Sequence, residues 1–363
     1  MPNDFGIEEI ARRCIAAISG RCSVDDRAVA LKTLNDELTL IQVSDFDSPV
    51  ASAFRFAEER RDRGRTVRLI GSGCASLVNY LLGLSDVDPV RFQLPHQRFW
   101  ATNNRETPSY MFVADLEEDQ LDQRLPGLII HRMTPLEAIP YRLLDSPCPK
   151  ADDATFKEIS AGHTDGVFQL DTEAAREIAT RVHPATVRDL ATVSALTIRQ
   201  FSDPGAVSDF LKHREELPSG EGASAINASG PWLFQEELMA VLHHTFRLRW
   251  SEAYRFIREA NRNRGLTTDH PMYRTALAGT TTSEAGDTAP RRLLNKLARD
   301  SRSAVCLAHH LANALTTYRA AFLKTHFPAR FEKQLTVPWR DKDEFTQRTN
   351  SISENPQKDE EWN

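Results

Sequence analysis

Residues 65–100 constrain the fold of this chain more than any other stretch. A β-type run, residues 66–70, leads through Gly71-Ser72-Gly73 into an apolar run with helical spacing, residues 75–82. Glycines let backbone N–H groups approach a phosphate, and a helix N-terminus favours negative charge. The stretch therefore predicts a strand, a candidate anion-binding turn and a helix. A plain tight turn is the alternative, because Gly-Ser turns before helices are common.

Composition excludes several classes of protein. The 363 residues are 40% hydrophobic and 26% charged, which is typical of soluble globular proteins. No apolar run approaches the length of a membrane span, and the N-terminus lacks a basic region followed by an apolar one. We therefore expect a cytoplasmic protein without a membrane partner. The five cysteines are scattered without a Cys-x-x-Cys pair, so neither a zinc site nor a disulfide framework is supported.

Charge is distributed unevenly along the chain. The net charge of −6 gives no general attraction for nucleic acid. However, residues 55–68 and residues 247–264 hold six arginines each. Such local basic faces are suited to a nucleic-acid backbone, and the alternative for each is a solvated helix face.

The hydrophobic spacing predicts an α+β chain that is mainly α, with a few short strands. Ser48-Pro49 indicates a helix start, and Asp171 or Thr172 is placed to cap a helix over 173–182. Residues 234–262 form a long helical region. Proline and aspartate are frequent in residues 145–153, which favours a linker there.

Five groups of residues, taken in chain order, carry a family resemblance. They are GSGCASLV with YLLG and DVDP (71–89), GLIIHRMTPLEAIP (127–140), DGVFQL (165–170), FQEELM (234–239) and YRAAFLKTHFPARF (318–331). In this order they resemble the bacterial DNA polymerase III alpha subunit, a C-family DNA polymerase.

The resemblance implies a domain order. Residues 1–144 would be a truncated polymerase-palm-like domain, 145–153 a linker, 154–335 a helical fingers-like domain, and 336–363 a polar, disordered tail. Between Phe99 and Gly127 the family has a long stretch that carries most of the palm and thumb, and this chain is far shorter there. We expect no counterpart of the family's phosphatase-like and oligonucleotide-binding domains.

The catalytic carboxylates of the family are not matched. Nucleotidyl transfer uses carboxylates that hold two Mg²⁺ ions, and the family supplies two of them from a Pro-Asp-x-Asp strand. Pro108 matches the proline, but residues 109–113 contain no carboxylate. Asp115 and Glu117 are weak candidates, because their i, i+2 spacing places both on one face of a strand. Mg²⁺ is expected only if they are active, and no other cofactor or metal site is implied.

The resemblance also implies phosphate and DNA contacts. Ile70 stands where the family has an arginine, and Leu307 and Ala308 stand where it has lysine and serine, so several phosphate-binding groups are replaced. The candidates that remain are a triphosphate-binding-like turn, Gly71, Ser72 and Gly73, and the DNA-contact or fingers positions Gln169, Gln235, Arg258, Arg262, Arg264 and His309.

Three functions follow from these residues. The preferred one is a DNA polymerase III alpha-like protein without catalytic activity, which binds primer–template or single-stranded DNA or replication and repair proteins. The first alternative is a minimal template-directed nucleotidyltransferase with relocated carboxylates. The second is a protein-interaction subunit of a repair, mobile-element or defence system, which the net acidic charge favours and the arginine clusters oppose.

Overall fold

A computed structural model describes residues 5–100, 108–115, 127–144, 151–201, 203–216, 231–263, 265–280 and 288–336. Within these ranges the chain is α+β and mainly α, which confirms the predicted fold class. The tail predicted to be disordered lies outside the described residues except for Thr336. None of the described helices has the length and apolar character needed to cross a membrane.

The first part of the chain surrounds a small sheet. Its elements are α1 (Ile7–Arg21), α2 (Arg27–Val43), α3 (Asp47–Asp62), β1 (Val67–Ile70), a 3₁₀ helix (Gly71–Ala75), α4 (Leu77–Leu81), a second 3₁₀ helix (His96–Arg98), β2 (Tyr110–Ala114), β3 (Leu128–Arg132) and α5 (Pro135–Leu143).

The remainder of the described chain is helical. Its elements are α6 (Asp153–Ser160), α7 (Glu173–Val182), α8 (Val187–Arg199), α9 (Ala206–Glu216), α10 (Gln235–Phe246), α11 (Trp250–Arg262), α12 (Pro271–Ala278), α13 (Ala289–Asp300), α14 (Leu307–His326) and α15 (Pro328–Leu335).

The sheet has the order β1-β2-β3, with β2 antiparallel to β1 and parallel to β3. Because paired residues share a face, the register assigns Ile70, Met111 and Ile129 to one face of the sheet. The opposite face carries Tyr110 and Phe112, which are fully buried. That second face packs into an aromatic core, where the Phe112 ring lies 5.2 Å from the ring of Phe56.

Helix α14 packs against much of the rest of the molecule. It contacts β1, the 3₁₀ helix Gly71–Ala75 and helices α5, α6, α8 and α15. Two of its polar groups, the carbonyl of Ala312 and the side chain of Asn313, accept hydrogen bonds from Arg68 on β1 at 3.5 and 2.9 Å. The Ile70–Met111 face of the sheet therefore lies beside α14.

The described core consists of two hydrophobic clusters. The larger one joins the sheet and α1–α5 to α6–α9, α14 and α15. The smaller one belongs to α10–α13 and includes Trp232, Phe246 and Phe256. Core residues on both sides of 145–153 thus belong to one cluster. A palm-like and fingers-like division at that linker stays a prediction of the family resemblance.

Two helix boundaries differ from the sequence prediction. α3 begins at Asp47, so Ser48 is inside the helix rather than at its cap. The predicted helical region 234–262 is two helices, because Arg247 adopts a left-handed conformation (φ 55°) and ends α10. Of the two predicted caps of α7, Thr172 takes that role, since its hydroxyl accepts from the N–H of Ala175 at 3.3 Å.

A buried glutamate anchors the helix that follows the turn. Glu37 of α2 is fully buried and accepts from the N–H groups of Leu77 and Val78 at 2.7 and 3.1 Å. It also accepts from the Ser76 hydroxyl at 2.6 Å and from the Trp100 indole N–H at 2.9 Å. The free N–H groups at the start of α4 are therefore satisfied by a carboxylate from inside the protein.

Replacing Glu37 with alanine should lower the free energy of unfolding by about 3 kcal/mol or more, because four buried donors lose their acceptor. Urea unfolding of the variant measures this. Glu332→Ala, at an exposed position of α15, is the control and should change stability by no more than about 0.5 kcal/mol. Equal stability of the two variants would contradict the anchoring role of Glu37.

Candidate functional site

The candidate triphosphate-binding residues form one turn at the end of β1. Gly71 has φ +78°, a conformation that glycine adopts without steric cost, and a Cβ there would lie 3.7 Å from Met111 Cβ. Gly73 is buried, and a Cβ there would lie 3.1 Å from Leu69. Gly71 and Ser72 are half-exposed. The turn thus folds closely over the sheet, beside Met111.

The strands carry apolar residues, Arg68 and His131 on the sheet face next to this turn, but no carboxylate, which a polymerase would need there. Met111 and Val113 lie on this face of β2, with Ile129 beside them on β3. No group of three or more His, Cys, Asp or Glu side chains suited to a metal ion exists among the described residues. Two-metal catalysis needs such a group, with the ions roughly 4 Å apart.

A cation on the same face is neutralised internally. Arg68 is 6% exposed and donates hydrogen bonds to Glu137 and to Asn313, the latter at 2.9 Å. Glu137 also forms a capping box with Thr134 at the start of α5. Arg68 therefore joins β1, α5 and α14, and much of its charge is already matched by a carboxylate.

The histidine predicted to contact DNA joins this network. His309 Nε2 lies 3.1 Å from the amide nitrogen of Asn313. Burial, with the nearby charge of Arg68, lowers the pKa of His309 below its ordinary value. The neutral imidazole gives a phosphate no positive charge at pH 7. A contact between His309 and DNA stays a prediction.

The weak catalytic candidate is an ion-paired residue. Asp115 directly follows β2, and its N–H donates to the carbonyl of Thr66 at 3.0 Å. Its carboxylate is 13% exposed and lies 3.8 Å from the Arg65 guanidinium. Arg142 also interacts with its charge. A divalent cation would compete with two arginines for this oxygen pair. Glu117 lies outside the described residues.

The fingers-like candidates form a second cluster. Gln235 accepts from Arg98 at 2.8 Å and donates to the Ala304 carbonyl at 3.1 Å. Arg98 also donates to the Tyr254 hydroxyl at 2.9 Å and lies over that ring. The Arg258 guanidinium lies 5.9 Å from the centre of the same ring. Gln235 thus ties α10 to the segment before β2.

The other candidates are dispersed. Arg262 is exposed and lies 3.5 Å from Glu259 of the same helix. Gln169 has a left-handed backbone (φ 62°), and its side-chain oxygen is buried without a hydrogen-bond partner in the described structure. Arg264 lies outside the described residues. The structure therefore brings the turn and His309 together around α14, and leaves Gln235 with Arg258 at a separate place.

The sequence reasoning gave no role to a second buried glutamate. Glu236 accepts from the N–H groups of Leu307 at 2.7 Å and Ala308 at 3.3 Å, so it caps α14 from the inside. Leu307 and Ala308 are the positions where the family resemblance expects lysine and serine. For Glu37, by contrast, the sequence did indicate burial, because Glu37 lies on the apolar face of α2 that Leu34 and Ile41 form.

Comparison with known proteins decides the family. The model of the bacterial DNA polymerase III alpha NTPase domain matches residues 8–116, and the model of the bacterial DNA polymerase III alpha subunit finger domain matches residues 137–275. The chain is a DNA polymerase III alpha-like protein. The two models follow one another along it in the order that the motifs predicted.

Curated relatives of this DNA polymerase III alpha-like protein are distant. An error-prone DNA polymerase of Dechloromonas aromatica is 26% identical over 200 residues, which is 53% of this chain and 19% of that protein. A DNA polymerase III subunit alpha of Mycoplasma pneumoniae is 26% identical over 215 residues, 56% of this chain and 24% of that protein. The matched part of the chain thus corresponds to about a fifth of the length of these relatives.

The buried histidine beside His309 makes stability depend on pH. His310 is 3% exposed, lies 2.9 Å from the Ser194 hydroxyl, and burial lowers its pKa to about 3. The unfolded chain, with an ordinary pKa near 6.5, binds more protons between these values. The contribution of His310 to the free energy of unfolding is therefore complete above pH 6.5 and is lost as the pH falls towards 3.

Between pH 7 and pH 5 this loss should amount to about 2 kcal/mol of unfolding free energy. His310→Gln should show correspondingly less dependence on pH in urea unfolding, whatever its absolute stability. His183→Gln, at an exposed histidine without an ion pair among the described residues, should keep the pH dependence of the unchanged protein. Identical slopes for His310→Gln and the unchanged protein would show that His310 does not remain neutral in the fold.

Proposed function

We propose that this DNA polymerase III alpha-like protein binds primer–template or single-stranded DNA and does not catalyse nucleotide incorporation. The observation that carries the proposal is the sheet face beside Gly71 and Ser72. Met111 and Val113 lie there, and Arg68 is matched by Glu137. Metal-dependent phosphoryl transfer requires carboxylates and cations at this place, and the described face offers neither in a usable form.

The helix N-termini support the same conclusion. The start of α4 accommodates Glu37, and the start of α14 accommodates Glu236. Each carboxylate takes the position at which a helix N-terminus would attract a phosphate. A nucleoside triphosphate would therefore have to bind without help from either helix N-terminus.

Binding of DNA is supported by the cations that remain exposed. Arg255 and Arg262 on α11 point to solvent, and Arg258 is half-exposed. Phosphate contacts by such side chains give affinity without chemistry. The curated relatives are named as DNA polymerases, so DNA is the polymer that the inherited scaffold is expected to recognise.

Binding and primer extension should be measured on one preparation of the full chain. Labelled primer–template and single-stranded DNA should bind with an affinity that falls as salt rises, and no nucleotide should be added with Mg²⁺ or Mn²⁺. Incorporation that disappears in Asp115→Ala but survives in Asp36→Ala, at an exposed position of α2, would establish a nucleotidyltransferase instead. Failure to bind either DNA at 50 mM salt would overturn the proposed binding.

A further inference from the structure

Helix α13 carries a stripe of arginines that lies outside the candidate site described above. Arg291, Arg292 and Arg299 are exposed on this helix, and Arg302 is exposed in the turn that follows it. At 100° per residue the three positions on α13 fall within about 100° of the helix circumference. Asn295 lies between them on the same side.

Three of these four cations have no ion-pair partner among the residues that the structure describes. In the described part of the chain, Arg291, Arg292 and Arg302 make no ion pair, whereas Arg299 lies 3.2 Å from the largely buried Asp300. A guanidinium without a carboxylate keeps its full charge available for an external anion.

The surrounding subdomain is basic within an acidic chain. Its described residues, 231–263, 265–280 and 288–306, contain eleven Lys and Arg against six Asp and Glu, whereas the whole chain has a net charge of −6. Several of those acids are already engaged. Glu236 caps α14, Glu252 pairs with Arg249, and Glu259 pairs with Arg262. Residues 288–306 hold five of these cations against a single acid, Asp300, so α13 and the turn after it are net positive.

The stripe is held rigidly. The opposite side of α13 buries Leu294, Leu297 and Ala298 in the smaller core cluster. The Tyr273 hydroxyl of α12 donates to Asn295 Oδ1 at 2.9 Å, and the Lys296 ammonium lies 4.8 Å from the centre of the Trp232 ring. The arginines thus extend from a fixed helix, which reduces the ordering cost of binding.

We propose that the arginine stripe of α13 binds the sugar–phosphate backbone of nucleic acid. This inference rests on the DNA binding proposed above and assigns it a surface. Arg291 and Arg299 are eight residues apart, about 12 Å along the helix, which corresponds to about three phosphates of one strand at ~3.4 Å of axis each. Arginine also matches a phosphate through two parallel N–H groups.

A nucleic-acid backbone fits this surface better than an acidic protein. A protein interface has an apolar or aromatic centre inside its polar rim. The exposed positions of the stripe are arginine and asparagine, without an exposed apolar residue among them. Phosphate contacts need no such centre, because their affinity comes largely from counterion release.

The test compares two triple variants of the full chain. Arg291→Gln, Arg292→Gln and Arg302→Gln together remove the unpaired cations of the stripe. Lys32→Gln, Arg330→Gln and Lys333→Gln remove three exposed cations from α2 and α15 and change the net charge equally. Fluorescence anisotropy with labelled duplex and single-stranded DNA, from 50 to 200 mM salt, measures affinity, and circular dichroism confirms that both variants are folded.

For duplex DNA the stripe variant should lose about three units from the slope of log affinity against log salt, since each phosphate contributes about 0.9. The unchanged protein should accordingly lose roughly 40-fold more affinity than the stripe variant across this salt range. The control variant should keep the slope of the unchanged protein.

Three results would overturn the assignment, and they are distinguishable. If the unchanged protein binds DNA and the stripe variant keeps its slope, DNA binding stands and α13 is not its surface. If both triple variants lose slope equally, the effect is one of net charge. If polyglutamate binds the stripe as tightly as DNA does at equal salt, its ligand is an acidic protein. Absence of DNA binding by the unchanged protein would instead refute the proposed function itself.

Discussion

Two buried carboxylates at helix N-termini are the interactions on which the rest of this structure depends. Glu236 fixes the start of α14, and Glu37 fixes the start of α4. A buried helix end without acceptors for its N–H groups is costly, so these side chains stabilise both helices where they lie. Because α14 contacts the sheet, the 71–75 turn and four further helices, its position determines how the larger core closes.

The same interactions underlie the proposal that this polymerase-like scaffold binds DNA without polymerase chemistry. Charges that could face a nucleotide are directed inward, with Glu236 on the N-terminus of α14 and Arg68 on Glu137 and Asn313. Met111 fills the place beside Gly71 with apolar volume. These contacts add internal hydrogen bonds and packing to the fold. In the proposed function, the outward-facing cations of α11 and α13 are the groups that bind a polyanion.

Local signals in the sequence predicted part of this fold, and interactions between distant residues determined the rest. Thr172 and the 3.6-residue spacing of apolar residues were sufficient to predict α7, because a cap and its helix are neighbours in the chain. The end of α10 was not predictable, since Arg247 adopts its left-handed conformation without the glycine that usually signals one. The Gly71 turn was predicted as a unit. The partners of Glu37 and Arg68 lie 39 or more residues away, so no local pattern identified them.

Paramagnetic resonance of bound Mn²⁺ tests the central claim most directly. The full chain, mixed with primer–template, a nucleoside triphosphate and Mn²⁺, should show only the signal of nucleotide-bound and free ions, because the apolar face at Met111 and Val113 provides no pair of metal ligands. Two protein-bound ions coupled at about 4 Å, and lost in Asp115→Ala, would mean that a working two-metal centre exists and that the scaffold has kept its chemistry.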